Sequence, residues 1–184
     1  MKKQIVWKGH HYQMMEYCNV EITETDIRID GSIVGFGDDT PFSVTYDIIT
    51  DRNWVITALE MAVERSGDCS WISIQRDPDG KWTQSGHARP EWYECTDIDI
   101  SLTPFTNTLP IRRLDLPLND RRELQVLYIN VFHNTVKPVT QWYTRLSENK
   151  YLYEGVVKDF KAEITVDGDG LVTDYPGIFS RVTS

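Results

Sequence analysis

The sequence predicts a mainly β fold, and three observations support this prediction. Apolar and polar residues alternate with a period of two over several short segments, as in residues 42–48, which is the pattern of strands with one buried face. Asp-Pro-Asp-Gly at 77–80 and Asp-Gly-Asp-Gly at 167–170 favour hairpin turns between such segments. Residues 103–114 form the most plausible helix. A chain of 184 residues can bury its own core, so we expect a single domain over residues 1–184.

Residues 55–64 are the most ambiguous segment. Ala58, Leu59, Met61 and Ala62 favour a helix by intrinsic propensity. The apolar positions nevertheless alternate with the others along the segment, and periodicity usually outweighs propensity. We therefore predict a strand.

Two later segments complete the strand pattern. Residues 123–132 carry apolar side chains on both faces, so this strand should be covered on both sides. Residues 146–151 have the polar composition of a turn and should join two strands.

The predicted helix within residues 103–114 is short, about two turns. Asn107 or Thr108 is suited to cap its start, and Pro110 is tolerated only in the first turn. Arg112 and Arg113 suit the negative end of the helix dipole.

Charge and composition exclude several classes of function. The chain has 28 acidic and 19 basic residues, a formal net charge of −9. Binding to nucleic acid or to anionic lipid surfaces depends on clustered Lys and Arg, so we expect no nucleic-acid partner. No apolar run is long enough for a membrane-spanning helix.

The cysteines and histidines give expectations about location and cofactors. Cys18, Cys69 and Cys95 are an odd number without a C-x-x-C pair, which suits a reducing compartment. We therefore expect a cytoplasmic protein. The four histidines are scattered without metal-ligand spacing, so we expect neither a metal nor another cofactor.

One dense segment resembles a known family. Residues 95–114 read CTDIDISLTPFTNTLPIRRL, which closely resembles the signature of the bacterial putative glycolipid-binding family. The resemblance continues through QWY at 141–143, YLY at 151–153, GLV at 170–172 and YPGIF at 175–179. It implies a spiral β-roll, a long twisted antiparallel sheet wrapped around a single short α-helix. It also implies likeness to periplasmic lipoprotein carriers, with no catalytic residues to transfer.

Two neighbouring pairs of charged residues admit two interpretations. Arg112 and Arg113 lie in a locally basic stretch and are suited to hold a phosphate or carboxylate head group at the mouth of an apolar cavity. Asp97 and Asp99 share one face of the preceding strand, about 6.6 Å apart. They are therefore also placed to neutralise both arginines in internal ion pairs.

The remaining candidate ligand-binding residues are uncharged. Asn107 and Thr108 are suited either to bind sugar hydroxyls or to cap the helix. Gln141 and Tyr143, in a segment shared with the family, complete the candidate set. Most of the abundant aromatic residues should pack in the core, and a few should line a pocket.

Three classes of function remain open. The resemblance favours binding of an amphiphile, a glycolipid or another lipid, with its acyl part inside the roll. An alternative is a non-catalytic protein-interaction module or homodimer whose roll is filled by its own aromatic residues. A third is a hydrolase that uses Asp97 and Asp99 as acid and base, although a non-enzymatic role is favoured.

Overall fold

The strands in the described part of the chain belong to one continuous sheet. The structure is a computed structural model that describes residues 2–155 and 160–182, and within these ranges the sheet has fifteen strands. The strands are β1 (Lys2–Gly9), β2 (Gln13–Ile22), β3 (Asp26–Gly37), β4 (Thr40–Asp51), β5 (Ile56–Arg65), β6 (Asp68–Arg76), β7 (Trp82–Gln84), β8 (His87–Ala88), β9 (Asp97–Ile100), β10 (Arg121–Asn130), β11 (Thr135–Arg145), β12 (Lys150–Glu154), β13 (Lys161–Val166), β14 (Val172–Tyr175) and β15 (Phe179–Arg181).

The sheet is open, and its strand order follows the chain except at one junction. From one edge it runs from β8 back to β1, and β1 then pairs with β15, from which the order continues down to β9 at the other edge. Trp7 lies opposite Arg181 in the β1–β15 pair, so the two ends of the chain meet in the middle of the sheet. The mainly β architecture predicted from the sequence is confirmed.

One pair of strands departs from the antiparallel pattern. β9 runs parallel to β10, with Asp97 opposite Val126, whereas the other pairs among the described residues are antiparallel. Parallel neighbours need a long crossover connection. Residues 101–120 provide it, and they contain the helix.

The helix lies within the predicted segment. A 3₁₀ turn, Phe105–Asn107, leads into α1 (Thr108–Leu114), which ends at Asp115 in the left-handed conformation, φ 40°. No helix of the described chain has both the length and the apolar character needed to cross a bilayer.

The predicted side-chain cap on this helix is wrong. Asn107 occupies the N-cap position, but its side chain makes no capping hydrogen bond. The physical reason is that Asn107 itself is helical, with φ −65° and ψ −25°, and that the third helical residue is Pro110, which has no N–H for a cap to bind. The Asn107 amide instead donates from Nδ2 to the Pro104 carbonyl over 3.1 Å, and its Oδ1 accepts from Tyr143.

The sheet curls around this helical segment. Phe105 and Leu109 are fully buried. On one side, the Thr103 hydroxyl donates to Glu16 of β2 over 2.7 Å. On the other side, the Tyr143 hydroxyl of β11 donates to Asn107 over 2.8 Å. Strands from both halves of the sheet therefore contact the segment, as expected for a β-roll.

The ambiguous segments follow their periodicity. Residues 55–64 fall almost wholly within β5, whose alternate residues Leu59, Met61 and Val63 are buried. In β10 the consecutive residues Val126 and Leu127 are both buried, so this strand is covered on both faces. Turns follow β6, β11 and β13 where the sequence predicts them.

Candidate functional site

A cavity of about 530 Å³ lies at one end of the roll. Four turns contribute to its wall, those that join β1 to β2, β3 to β4, β10 to β11 and β14 to β15. We call it the roll-end cavity. Its volume falls in the range of about 300 to 1,000 Å³ that is typical of ligand sites.

Aromatic rings form much of the wall. Tyr12 and Phe132 contact each other edge to face, with ring centroids 4.8 Å apart. A second group joins Tyr153, Tyr175 and Phe179 through centroid distances of 6.1 and 6.2 Å. Such rings offer apolar contact area with little conformational entropy to lose.

Asp99 is the main polar feature of the wall. Its carboxylate accepts hydrogen bonds from the Gln141 amide over 2.6 Å and from the Thr106 hydroxyl over 3.2 Å. Burial raises the pKa of Asp99, and hydrogen bonds from Gln141, Thr106 and Tyr153 counteract part of this effect. The hydrogen-bond donors that hold this carboxylate are all uncharged.

A second acidic residue lines the cavity at the turn between β3 and β4. Asp38 pairs with Arg65 over 3.1 Å, and the Arg65 guanidinium also lies 4.5 Å from the Phe132 ring centroid. The charges of Asp38 and Arg65 therefore offset each other, whereas Asp99 forms no ion pair within residues 2–155 and 160–182.

A buried acid lies directly behind the wall. Thr103, which lines the cavity, donates to Oε1 of Glu16, and Tyr46 donates to the same oxygen over 2.5 Å. Burial raises the pKa of Glu16 to about 7, although the two hydroxyl donors favour the charged form. The hydrogen bond from Thr103 thus connects the cavity wall to the buried carboxyl group of Glu16.

Asp97 and Arg113 form an internal ion pair. The guanidinium donates from Nη2 to Oδ2 over 2.6 Å and from Nε to Oδ1 over 3.2 Å. The Asp97 side chain is 1% exposed. Of the two interpretations that the sequence allows, Arg113 takes the internal pairing.

Arg112 lies at the opposite end of the roll from the cavity. Its guanidinium is 5.5 Å from the ring centroid of Trp54, and a Cβ added to Gly170 would lie 2.7 Å from its Cδ. Trp54 and Gly170 belong to the β4–β5 and β13–β14 turns. Because successive hairpin turns alternate between the ends of a sheet, these turns face away from the roll-end cavity. Asp99 does not pair with Arg112, contrary to the expected double pairing.

The four uncharged candidates have different positions. Asn107 lines the cavity and accepts the hydrogen bond from Tyr143, while Gln141 holds Asp99. Thr108 is fully buried, and its hydroxyl has no hydrogen-bond partner among the residues described. Asn107 is therefore in direct contact with the cavity, whereas Tyr143 and Gln141 support wall residues from behind.

Sequence reasoning missed most of the cavity wall. Its residues come from turns that are far apart along the chain, and no local motif marks them. One signal was available, because the strand from Asp97 to Ile100 alternates charged and apolar residues next to the helix. Residues 2–155 and 160–182 contain no group of three His, Cys, Asp or Glu side chains that could hold a metal ion.

Comparisons with known proteins agree with this architecture. Residues 4–181 match the family described as putative glycolipid-binding. The structure is similar to the crystal structure of a DUF1089 family protein from Pseudomonas aeruginosa, with a TM-score of 0.83 and 33% sequence identity. The match covers 91% of this chain and 92% of the other. No curated protein matches the chain.

Proposed function

Because the chain belongs to the putative glycolipid-binding family, we propose that it binds a single amphiphile, a glycolipid or a related lipid, in the roll-end cavity. The observation that carries this proposal is the cavity itself, whose volume of about 530 Å³ and aromatic wall suit an acyl or alkyl chain. Burial of that chain would remove apolar surface from water on both partners.

Polar wall residues supply the contacts for a head group. Asp99 and Asn107 are the principal candidates, and Gln141 and Tyr143 hold them in place. Arg112 and Arg113 are outside the cavity wall, so their proposed role is structural. Of the predicted ligand-binding residues, the proposal therefore keeps Asn107 as a direct contact.

Purification from the natural host tests the proposal. Native mass spectrometry should detect protein with a bound amphiphile, and organic extraction should release it. The variant Ile178→Trp places a larger side chain in the cavity wall and should lose the bound amphiphile. Ile49→Trp makes the same change on the outer face of β4 and should keep it. Bare wild-type protein from the host would contradict the proposal.

The interaction-module alternative retains one supporting observation. Several large apolar side chains of β2, β3 and β6 are exposed, including Trp71 at 72% and Val34 at 61%. Met15 lies opposite Val34 in the register of β2 and β3, so two of these side chains are neighbours. Sedimentation velocity of wild type and Trp71→Ser tests whether this face mediates a homodimer.

The hydrolase alternative would need both carboxylates in one accessible site. Asp97 is buried in its ion pair with Arg113, whereas Asp99 lines the cavity. The two acids therefore face different surroundings. A cytoplasmic location remains our proposal, and the free cysteines of the described chain suit that compartment.

A further inference from the structure

The charged residues of the roll-end cavity bear on the head group of its ligand. Asp38 and Asp99 are acidic, and among residues 2–155 and 160–182 no lysine or arginine lines the cavity. Arg65 contacts this wall, where it is engaged with Asp38 and Phe132. The wall therefore carries an uncompensated negative charge at Asp99.

The hydrogen-bonding capacity of the wall points in the same direction. An ionised carboxylate can only accept hydrogen bonds, so a ligand group beside Asp99 must donate them. The faces of aromatic rings are electronegative, which disfavours an anion stacked on Tyr153 or Tyr175. A phosphate or sulfate would meet repulsion from the carboxylate, and within residues 2–155 and 160–182 the basic side chains of the wall are only those of His11 and His133.

We propose that the cavity selects an uncharged, hydroxyl-bearing head group, such as a sugar, and discriminates against anionic ones, with Asp99 as the residue that determines this specificity. This inference depends on the proposed function. Sugar hydroxyls donate to the carboxylate, and sugar rings stack on aromatic side chains. Asn107 lines the same cavity, where its amide is held by Pro104 and Tyr143. An anion site at Arg112 and Arg113, one of the two interpretations that the sequence allows, would have favoured the opposite class of ligand.

Three amphiphiles with the same alkyl chain separate the head-group classes. Octyl glucoside, octyl phosphate and octyltrimethylammonium are titrated below their micellar concentrations. The pH is near 8, because His11 and His133 line the cavity and free imidazole is neutral at that pH. Displacement of a fluorescent apolar probe reports binding. We expect the glucoside to bind at least about tenfold more tightly than the phosphate, because two like charges a few ångströms apart repel strongly in a partly buried site.

The variant Asp99→Asn isolates the role of this carboxylate. Octyl phosphate should bind about tenfold more tightly to Asp99→Asn than to wild type, because the repelling charge is removed. A purely structural role would lower binding of all three amphiphiles together. Asp47→Asn changes the net charge equally on the exposed outer face of β4 and should leave the preference unchanged.

The outcomes distinguish this inference from the function on which it depends. If none of the three amphiphiles binds to wild type, the proposed function itself fails. If octyl phosphate binds as tightly as octyl glucoside, amphiphile binding stands and the charge selectivity is wrong. Tightest binding of octyltrimethylammonium would replace the sugar with a cationic head group.

Discussion

Tyr46 donates a 2.5 Å hydrogen bond to Glu16, although their strands, β4 and β2, are separated by β3. The intervening position is Gly31, which lies opposite Tyr46 in the register of β3 and β4. A Cβ at Gly31 would overlap the Tyr46 ring. The glycine therefore lets the tyrosine cross a neighbouring strand and hydrogen-bond Oε1 of a fully buried carboxyl group, whose Oε2 has no partner among the residues described.

Glu16→Gln should remove a pH dependence of stability. The pKa of Glu16 is raised from 4.5 to about 7 in the folded protein. Between these values the folded protein keeps a proton that the unfolded chain releases, so wild-type stability falls as the pH rises. The free energy of unfolding is lower by about 3 kcal/mol at pH 7, and little of this loss remains below pH 4.5.

Urea unfolding of wild type and Glu16→Gln at pH 4.5 and pH 7.5 measures this difference. Subtracting the free energy of unfolding of one protein from that of the other cancels the titration of groups common to both. We expect the variant to gain about 3 kcal/mol relative to wild type between the two pH values. A stability difference that is independent of pH would show that Glu16 titrates normally.

Gly31→Ala should destabilise the protein by about 3 kcal/mol, because the added methyl group displaces the Tyr46 ring in a packed core. Gly168→Ala is the matched control, since no atom lies within 4 Å of a Cβ added there. Thermal unfolding of the two variants gives the comparison. Equal melting temperatures would mean that Tyr46 does not cross β3 at this glycine.

These contacts show where sequence reasoning succeeds and where it stops. The period of two identified the strands, including residues 55–64, because side chains alternate between the faces of any half-buried strand. Turn residues marked the hairpins after β6 and β13 for similarly local reasons. Such signals require no knowledge of distant parts of the chain.

The candidate site depends on distant parts of the chain. Glu16 and Tyr46 are 30 positions apart, and Asp99 and Gln141 are 42 positions apart. No local pattern specifies these partners. One of the two predicted ion pairs is present, because Asp97 does pair with Arg113. Asp99 instead lines the roll-end cavity, and Arg112 contacts Trp54.

The three cysteines should react very differently with a thiol reagent. Cys69 is exposed, whereas Cys18 and Cys95 are buried. Burial raises the pKa of the Cys95 thiol to about 11 and also raises that of Cys18. Because the thiolate is the reactive form, Ellman's reagent near pH 8 should modify one thiol rapidly in the folded protein and all three after unfolding. Rapid reaction of Cys69→Ser would contradict the buried positions of the other two.

Arg113→Gln and Arg112→Gln should have unequal effects on stability. Loss of Arg113 leaves Asp97 buried without its cation, and breaking a buried ion pair in this way costs about 3 to 5 kcal/mol. Arg112 is exposed and contacts Trp54 through a cation–π interaction, which contributes only about 0.5 to 1 kcal/mol at such a site. The two variants remove the same charge from adjacent positions, so each is a control for the other.

Thermal and urea unfolding of these two variants and of Asp97→Asn decides whether Arg113 has an internal role or a role at the surface. Asp97→Asn removes the buried charge itself, so the double variant Asp97→Asn, Arg113→Gln should be less destabilised than the sum of the single changes. Octyl glucoside binding should persist in Arg112→Gln, because Arg112 lies at the opposite end of the roll from the cavity. An unchanged melting temperature for Arg113→Gln together with lost binding would instead place this arginine at the ligand.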